Sequence, residues 1–194
     1  MHKGRLEAFS DGVIAIVITI MVLEMHVPHG ADLASLRPLV PVFSSYVLSF
    51  VFVAIYWNNH HHLLQAAKHV DGRVLWSNMA LLFWLTLFPF TTNWMGETHF
   101  APLPVFAYGA VLLAAALSYT ALVRSLIAVH GRDSTLARAI GDDRKGWISV
   151  AAYVLALGVA FVNAWVSCAL FVFVAILWLI PDRRIERALP RAEH

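Results

Sequence analysis

The side chains that could carry chemistry lie at two places in this sequence. Arg5, Ser10 and Asp11 open the first apolar segment, and the polar run Trp57-Asn58-Asn59-His60-His61-His62 closes the second. A carboxylate within a membrane is costly unless it faces protein or water, so Asp11 is expected to have partners. If both places lie at one membrane level, aspartate, arginine and histidine can satisfy one another's hydrogen bonds. The favoured interpretation is a structural network that ties two helices together, and the alternative is direct ion binding.

The histidine triplet is a pattern that metal or haem sites can use. Consecutive helical residues point about 100° apart, so His60, His61 and His62 cannot all face one metal ion. Bis-histidine haem needs one histidine on each of two helices at the same depth, whereas His26 and His130 are expected at opposite membrane faces. Interfacial histidines are therefore favoured, with no metal site and no bound cofactor. We also expect no enzyme, because the sequence has no nucleophile elbow, phosphate loop or zinc-protease motif.

The composition requires these groups to be positioned by membrane helices. Hydrophobic residues make up 60% of the 194 residues and charged residues 13%, whereas about a quarter of an ordinary soluble domain is charged. The net charge of +2 does not indicate nucleic-acid binding. The single cysteine, Cys168, lies in an apolar run and excludes an intramolecular disulfide. The chain is predicted to be an all-α polytopic membrane protein with no soluble domain.

Six transmembrane helices are predicted, forming one domain over residues 1–194. Pro28 ends the first helix and Pro89 is expected to kink the third. The uncharged stretch 146–181 is too long for one crossing, so a turn is expected near Asn163. The approximate limits of the helices are 8–27, 40–64, 74–95, 105–129, 147–162 and 165–180.

The basic residues predict the orientation of these helices. With the N-terminus inside, 13 of the 14 Lys and Arg residues fall on the inner side, and only Arg37 falls outside. Inner loops of membrane proteins carry such an excess of Lys and Arg. Both termini are therefore predicted to be cytoplasmic, in a multi-pass protein of the plasma membrane surrounded by lipid. The tail from Asp182 to His194 is expected to be basic and exposed.

The first helix differs from the others, because acidic residues flank its short apolar stretch from Val13 to Leu23. We expect it to be an inner helix enclosed by the rest. One stripe at helical spacing, bordered by Thr19, comprises Phe9, Ile16, Ile20, Leu23 and Val27. This stripe fits plain helix packing, which the residues alone favour. It also fits a pore wall in which aliphatic side chains from several subunits form a hydrophobic gate.

The first helix also carries a recognisable motif. The run Arg5-x-x-x-Phe9-Ser10-Asp11, leading into Ile16, Thr19, Ile20 and Leu23, resembles the signature of the transmembrane protein 175 family. Trp57-x-x-His60 and Phe88-Pro89-Phe90-Thr91 are further matches. The family includes the lysosomal potassium channel and shorter prokaryotic relatives, and a single copy of six spans resembles the prokaryotic branch.

This resemblance implies a homotetrameric, potassium-permeable cation channel, with the first helix of each subunit lining a central pore that holds permeant K⁺. By position, Ile16 resembles the narrowest hydrophobic constriction, with Ile20 and Leu23 as further layers. Thr19 resembles a threonine implicated in selectivity. The resemblance also implies a structural motif network that holds the pore helix, comprising Arg5, Phe9, Ser10, Asp11, Trp57 and His60.

Two other functions are compatible with the residues. A proton-coupled transporter or proton-permeable pathway could use Asp11 and the histidines. A histidine-ligated haem protein of the membrane is the third alternative. The potassium-permeable channel is the favoured prediction, because the family resemblance supports the interpretation of the aliphatic stripe as a pore wall.

Overall fold

The computed structural model describes residues 3–131, 134, 137 and 143–179, and the regular structure in this part of the chain is entirely helical. A seven-residue 3-10 segment, Leu33–Leu39, precedes the second α-helix. The α-helices are α1 Lys3–Leu23, α2 Val40–Ala66, α3 Gly72–Thr86, α4 Phe88–Glu97, α5 Pro102–His130, α6 Arg144–Val159 and α7 Ala164–Leu179. The predicted basic tail, 182–194, and the last residue of the predicted sixth span lie outside the described residues.

Several of these helices suit a membrane. Among the described residues, the segments 3–23, 33–66, 72–97 and 102–130 are long and apolar enough to cross one, and Ala164–Leu179 is a shorter apolar helix. At a rise of about 1.5 Å per residue, α7 is about 24 Å long, somewhat less than a bilayer core. The chain is thus an all-helical, multi-pass membrane protein, while the division into six crossings remains a prediction.

The third segment is interrupted at the position where the sequence predicts a kink. Helix α3 ends at Thr86, and α4 begins at Phe88, with Pro89 in its first turn. Proline has no N–H and is tolerated in the first turn of a helix, so the break places it where no hydrogen bond is lost.

Helix α1 ends four residues before the predicted limit at Val27. The last α-helical hydrogen bond runs from the Glu24 N–H to the Ile20 carbonyl. The Met25 N–H donates instead to the Val22 carbonyl, three residues earlier. Pro28 disfavours helical geometry at Val27, so the helix cannot continue to that residue. Val27 is therefore not part of the helical stripe predicted from the sequence.

Helix α1 packs against three neighbours, α2, α3 and α4. Its first residue is tied to α2, because the Lys3 ammonium donates to the carbonyls of Leu64, Gln65 and Ala67 at 3.0–3.2 Å. The last carbonyls of a helix have no intrahelical partner, and a cation near them also favours the helix dipole. The N-terminus of α1 and the C-terminus of α2 are thus held at the same level.

Helix α5 continues the bundle by packing on α3, α4, α6 and α7. At its end, the ring of His130 accepts hydrogen bonds at Nε2 from the backbone N–H groups of Lys68 and His69, at 2.8 and 3.2 Å. Because Nε2 is an acceptor, Nδ1 carries the proton and donates to the Leu126 carbonyl at 2.8 Å. This histidine closes the turn between α2 and α3.

Helices α6 and α7 form the predicted hairpin. The turn occupies residues 160–163, and the side-chain oxygen of Asn163 accepts a hydrogen bond from the Trp165 N–H at 3.0 Å. The Ser167 hydroxyl, buried between the two helices, donates to the Ala156 carbonyl at 2.7 Å.

A buried cluster of hydroxyl groups joins α2, α4 and α5. The Ser49 hydroxyl lies 2.6 Å from the Thr92 hydroxyl and 2.9 Å from the Tyr108 hydroxyl.

Candidate pore face and its hydrogen-bonded support

Helix α1 has two different faces. Its buried face packs on α2, α3 and α4 and consists of Leu6, Ser10, Ile14, Val17 and Met21. The opposite face carries the four residues predicted to line a pore, which are Ile16, Thr19, Ile20 and Leu23. Ile16 is 59% exposed and Leu23 75% exposed in the single chain. The single chain therefore leaves an aliphatic stripe of its first helix uncovered.

Thr19 is the polar member of this stripe. It is exposed, and its hydroxyl donates to the Ala15 carbonyl one turn earlier at 2.9 Å. A hydroxyl that donates once keeps two lone pairs as acceptors. Thr19 can thus present an acceptor oxygen on the uncovered face without leaving its own proton unpaired.

The same uncovered face continues toward the N-terminus through Gly12, Phe9 and Arg5. Phe9 is 51% exposed, and a Cβ placed on Gly12 would meet open space. Arg5 is exposed and forms no hydrogen bond or ion pair with the described residues of its own chain. The predicted contact of Arg5 with Asp11 and the histidines is therefore not made among the described residues of the chain, because helical geometry turns Arg5 toward the Ile16 stripe.

Ser10 lies at the centre of a buried chain of hydrogen bonds. The Asn78 amide on α3 donates to the Ser10 hydroxyl oxygen at 2.9 Å, and the Asn78 carbonyl oxygen lies 2.7 Å from Nε2 of His60 on α2. The Ser10 hydroxyl donates in turn to the Leu6 carbonyl at 2.8 Å. All three side chains are buried. The arrangement requires Nε2 of His60 to carry a proton, since the Asn78 oxygen can only accept.

Asn78 is not among the residues that the sequence motifs predict for this network. A signal was present, because an amide within an uncharged apolar span must find a partner. What the sequence does not show is that this partner is a pair of side chains on two other helices. Ser10 and His60 were assigned to one network, and the structure joins them through Asn78.

Asp11 makes a separate attachment, to α2. The Trp57 indole N–H donates to its carboxylate at 3.0 Å, and the Trp57 ring stacks on His61 with centroids 5.8 Å apart. Successive helical residues point about 100° apart, so Ser10 and Asp11 face different neighbours. The two adjacent residues thus fix the rotation of α1 about its axis, with the aliphatic stripe turned away from the core of the chain.

The histidines do not assemble into a metal site in the part of the chain that the structure describes. No group of three or more His, Cys, Asp or Glu side chains there could hold a metal ion. His60 is engaged with Asn78, His130 with the turn after α2, and His61 with Trp57. The uncovered stripe from Gly12 to Leu23 carries no charged side chain.

Comparison with known proteins places this geometry in a family. The family model described as the endosomal/lysosomal potassium channel TMEM175 matches residues 5–89, which include the Ser10–Asn78 and Asp11–Trp57 attachments of α1. A potassium channel of Chryseobacterium sp. is 51% identical over 189 residues, covering 97% of this chain and 98% of that protein. This chain belongs to the TMEM175 family. The family resemblance inferred from the motif is confirmed.

Two further matches extend over nearly the whole chain. A potassium channel of Streptomyces collinus is 29% identical over 205 residues, covering 97% of this chain and 98% of that protein. The crystal structure of a lysosomal potassium-selective channel TMEM175 homolog from Chamaesiphon minutus superposes with a TM-score of 0.80 at 27% identity. That match covers 97% of this chain and 98% of the other. Helices α5 to α7, beyond the family-model match, are therefore also shared with these relatives.

Proposed function

We propose that this chain is the subunit of a potassium-permeable channel in the plasma membrane. Two relatives named as potassium channels, and a crystallised homolog described as potassium-selective, match it over nearly their full lengths. The protein is an ion-conducting channel in this proposal and performs no enzymatic step. It requires no bound cofactor, and K⁺ is the permeant ion.

The observation that carries the proposal is the division of α1 into two faces. The subunit buries one face with apolar contacts and the Ser10 hydrogen bonds, and leaves the aliphatic face with Ile16, Ile20 and Leu23 uncovered. One helix cannot enclose an ion path, so a pore wall built from this face requires several copies of the chain. We propose four copies around a central axis, as the family resemblance implies.

The proposed pore has an aliphatic constriction. Ile16 to Leu23 spans about 10 Å of helix at a rise of 1.5 Å per residue, enough for three successive layers of side chains. A narrow ring of aliphatic side chains excludes water when it closes and so blocks hydrated ions. Thr19 lies between these layers, and four acceptor oxygens from four copies could interact with a partly dehydrated K⁺. We assign Ile16 to the narrowest layer and Thr19 to selectivity.

The test is ion flux into liposomes that hold the purified protein, with potassium, sodium and proton gradients imposed in separate experiments. A channel of this kind gives passive potassium flux that does not saturate and exceeds sodium flux. A proton-coupled transporter would instead move potassium only when protons move with it, and the flux would saturate. The native mass of the reconstituted assembly tests the proposed tetramer in the same preparation.

A further inference from the structure

A groove between α5 and α6 lies apart from the pore face. It has a volume of about 540 Å³, and its lining includes Leu117, Arg124, Ile127, Asp143, Trp147 and Val150. Ligand sites in proteins commonly have volumes of this order. The groove opens at the end of the bundle where α5 finishes and α6 begins, which is the predicted inner face of the membrane.

The polar end of the groove holds two opposite charges that do not pair with each other. Arg124 is exposed and forms no hydrogen bond or ion pair with any described residue. Asp143 caps α6, and its Oδ1 accepts from the Gly146 N–H at 2.9 Å. Its second oxygen has no hydrogen-bond partner among the described residues. Arg124 and one carboxylate oxygen of Asp143 therefore face the same space without a partner among the described residues.

A small recess continues from this end of the groove. Thr120, Asp143 and Gly146 line both spaces, and the recess, of about 40 Å³, reaches between α2 and α7. The Asn59 amide lines the recess and donates its N–H to the Ile55 carbonyl at 2.8 Å, which leaves its oxygen as an acceptor. The recess can thus offer several oxygen acceptors to one group with several N–H donors.

The rest of the groove is apolar and runs deeper into the bundle. Leu117 precedes Arg124 by seven residues, so it lies about 10 Å further along α5. Trp147 is 67% exposed one turn into α6, and tryptophan rings favour the level of lipid headgroups. The order along the groove, from charged groups through an indole to aliphatic walls, is the order of headgroup, interface and acyl chain in a phospholipid.

We propose that this groove binds a phospholipid with a zwitterionic, primary-ammonium headgroup, with the phosphate at Arg124 and the ammonium at Asp143. The described residues that line the groove include one positive side chain, Arg124, and one negative side chain, Asp143, which match the two charges of the headgroup. An anionic phospholipid would leave the Asp143 carboxylate facing negative charge. A choline headgroup has no N–H to donate to Asp143 or Asn59.

The experiment is native mass spectrometry of the purified protein offered equal amounts of phosphatidylethanolamine, phosphatidylglycerol and phosphatidylcholine. Asp143→Asn keeps a good helix N-cap while removing the charge, so α6 should still form. Arg124→Gln removes the phosphate partner. Arg73→Gln is the matched control, because Arg73 lies at the predicted inner face but outside the groove, 3.5 Å from Asp71.

We expect the wild type to retain phosphatidylethanolamine in preference to the other two lipids. Asp143→Asn should lower the ratio of bound phosphatidylethanolamine to phosphatidylglycerol about tenfold, since a charge-assisted hydrogen bond is lost. Arg124→Gln should reduce retention of both lipids, and Arg73→Gln should change neither.

The proposal is overturned if Asp143→Asn leaves the ratio unchanged, or if phosphatidylcholine binds as well as phosphatidylethanolamine. It is equally overturned if Arg73→Gln has the same effect as Arg124→Gln, because lipid retention would then depend only on the net charge of the protein. The readout is bound lipid and does not depend on ion flux, so its failure would leave the channel proposal standing.

Discussion

The Asn78 amide of α3 donates a hydrogen bond to the Ser10 hydroxyl of α1 at 2.9 Å, in a site closed to solvent. The side-chain oxygen of Asn78 accepts a hydrogen bond from Nε2 of His60 on α2, at 2.7 Å. One side chain therefore satisfies polar groups on two other helices. The orientation of the uncovered Ile16 face depends on this three-helix junction.

Replacing Asn78 with Leu should destabilise the protein. Ser10 and His60 would each lose a buried partner, and an unsatisfied buried polar group costs about 1–3 kcal/mol. Thermal unfolding in detergent measures the change. Ser77→Ala is the neighbouring control, since it removes a hydroxyl that is only partly buried and bonds to Ser125. Equal stability of Asn78→Leu and Ser77→Ala would show that the junction does not stabilise the fold.

Replacing Asp11 should mainly impair assembly. Asp11→Ala removes the acceptor for the Trp57 N–H, so α1 loses its polar attachment to α2 at that turn. Asp11→Asn keeps a side-chain oxygen that can accept the same hydrogen bond. We therefore expect Asp11→Ala to reduce the assembled fraction in native mass measurements, and Asp11→Asn to reduce it less. A fully assembled Asp11→Ala protein with altered permeation would instead assign Asp11 a direct role in the ion path.

Replacing Ile16 with Asn should raise potassium flux and relax selectivity. A polar side chain at the proposed narrowest layer would keep that layer hydrated. Val22→Asn is the matched control, because Val22 is also exposed on α1 but points about 120° away from Ile16. The measurement is potassium and sodium flux into liposomes that hold each variant. Unchanged flux in Ile16→Asn, or an equal rise in Val22→Asn, would remove Ile16 from the pore wall.

Replacing Gly96 with Ala should loosen the contact between α2 and α4. A Cβ at Gly96 would lie 2.6 Å from the Cα of Val42, so the two backbones would have to separate. Overpacking of this kind costs about 1–3 kcal/mol. Gly158→Ala is the opposite case, because a Cβ there meets nothing within 4 Å. It should stabilise α6 by about 0.5–1 kcal/mol. Both changes are read from thermal unfolding, and a stabilised Gly96→Ala protein would contradict the packing.

Much of this architecture follows from local patterns. The uncharged runs predict the helices, Pro89 predicts the break between α3 and α4, and the spacing of Ile16, Ile20 and Leu23 predicts one common stripe. Each of these depends on residues near one another in the chain. Covalent restriction by proline and the 3.6-residue period of a helix are sufficient to derive them.

The contacts between helices are harder to predict from the sequence than the helices themselves. Ser10, His60 and Asn78 are separated by 50 and 18 residues, and nothing local shows that their helices meet at one depth. Arg5 is the opposite case. It is close to Asp11 in the sequence and is predicted to join the same network, but it lies on another face of α1. Whether the uncovered stripe lines a pore depends on further copies of the chain, which one sequence does not position.

Among the described residues, the polar attachments of α1 to other helices all lie in its N-terminal half. Lys3 is bound to the end of α2, Ser10 to Asn78 and Asp11 to Trp57, whereas the C-terminal half packs through the apolar side chains of Ile14, Val17 and Met21. Polar contacts thus fix the helix at one end only, and Gly12 follows directly after Asp11, the last residue that makes such a contact. Apolar contacts can slide without leaving a hydrogen bond unmade. The C-terminal half, with Ile16 and Leu23, can therefore shift against its neighbours without breaking a hydrogen bond to them.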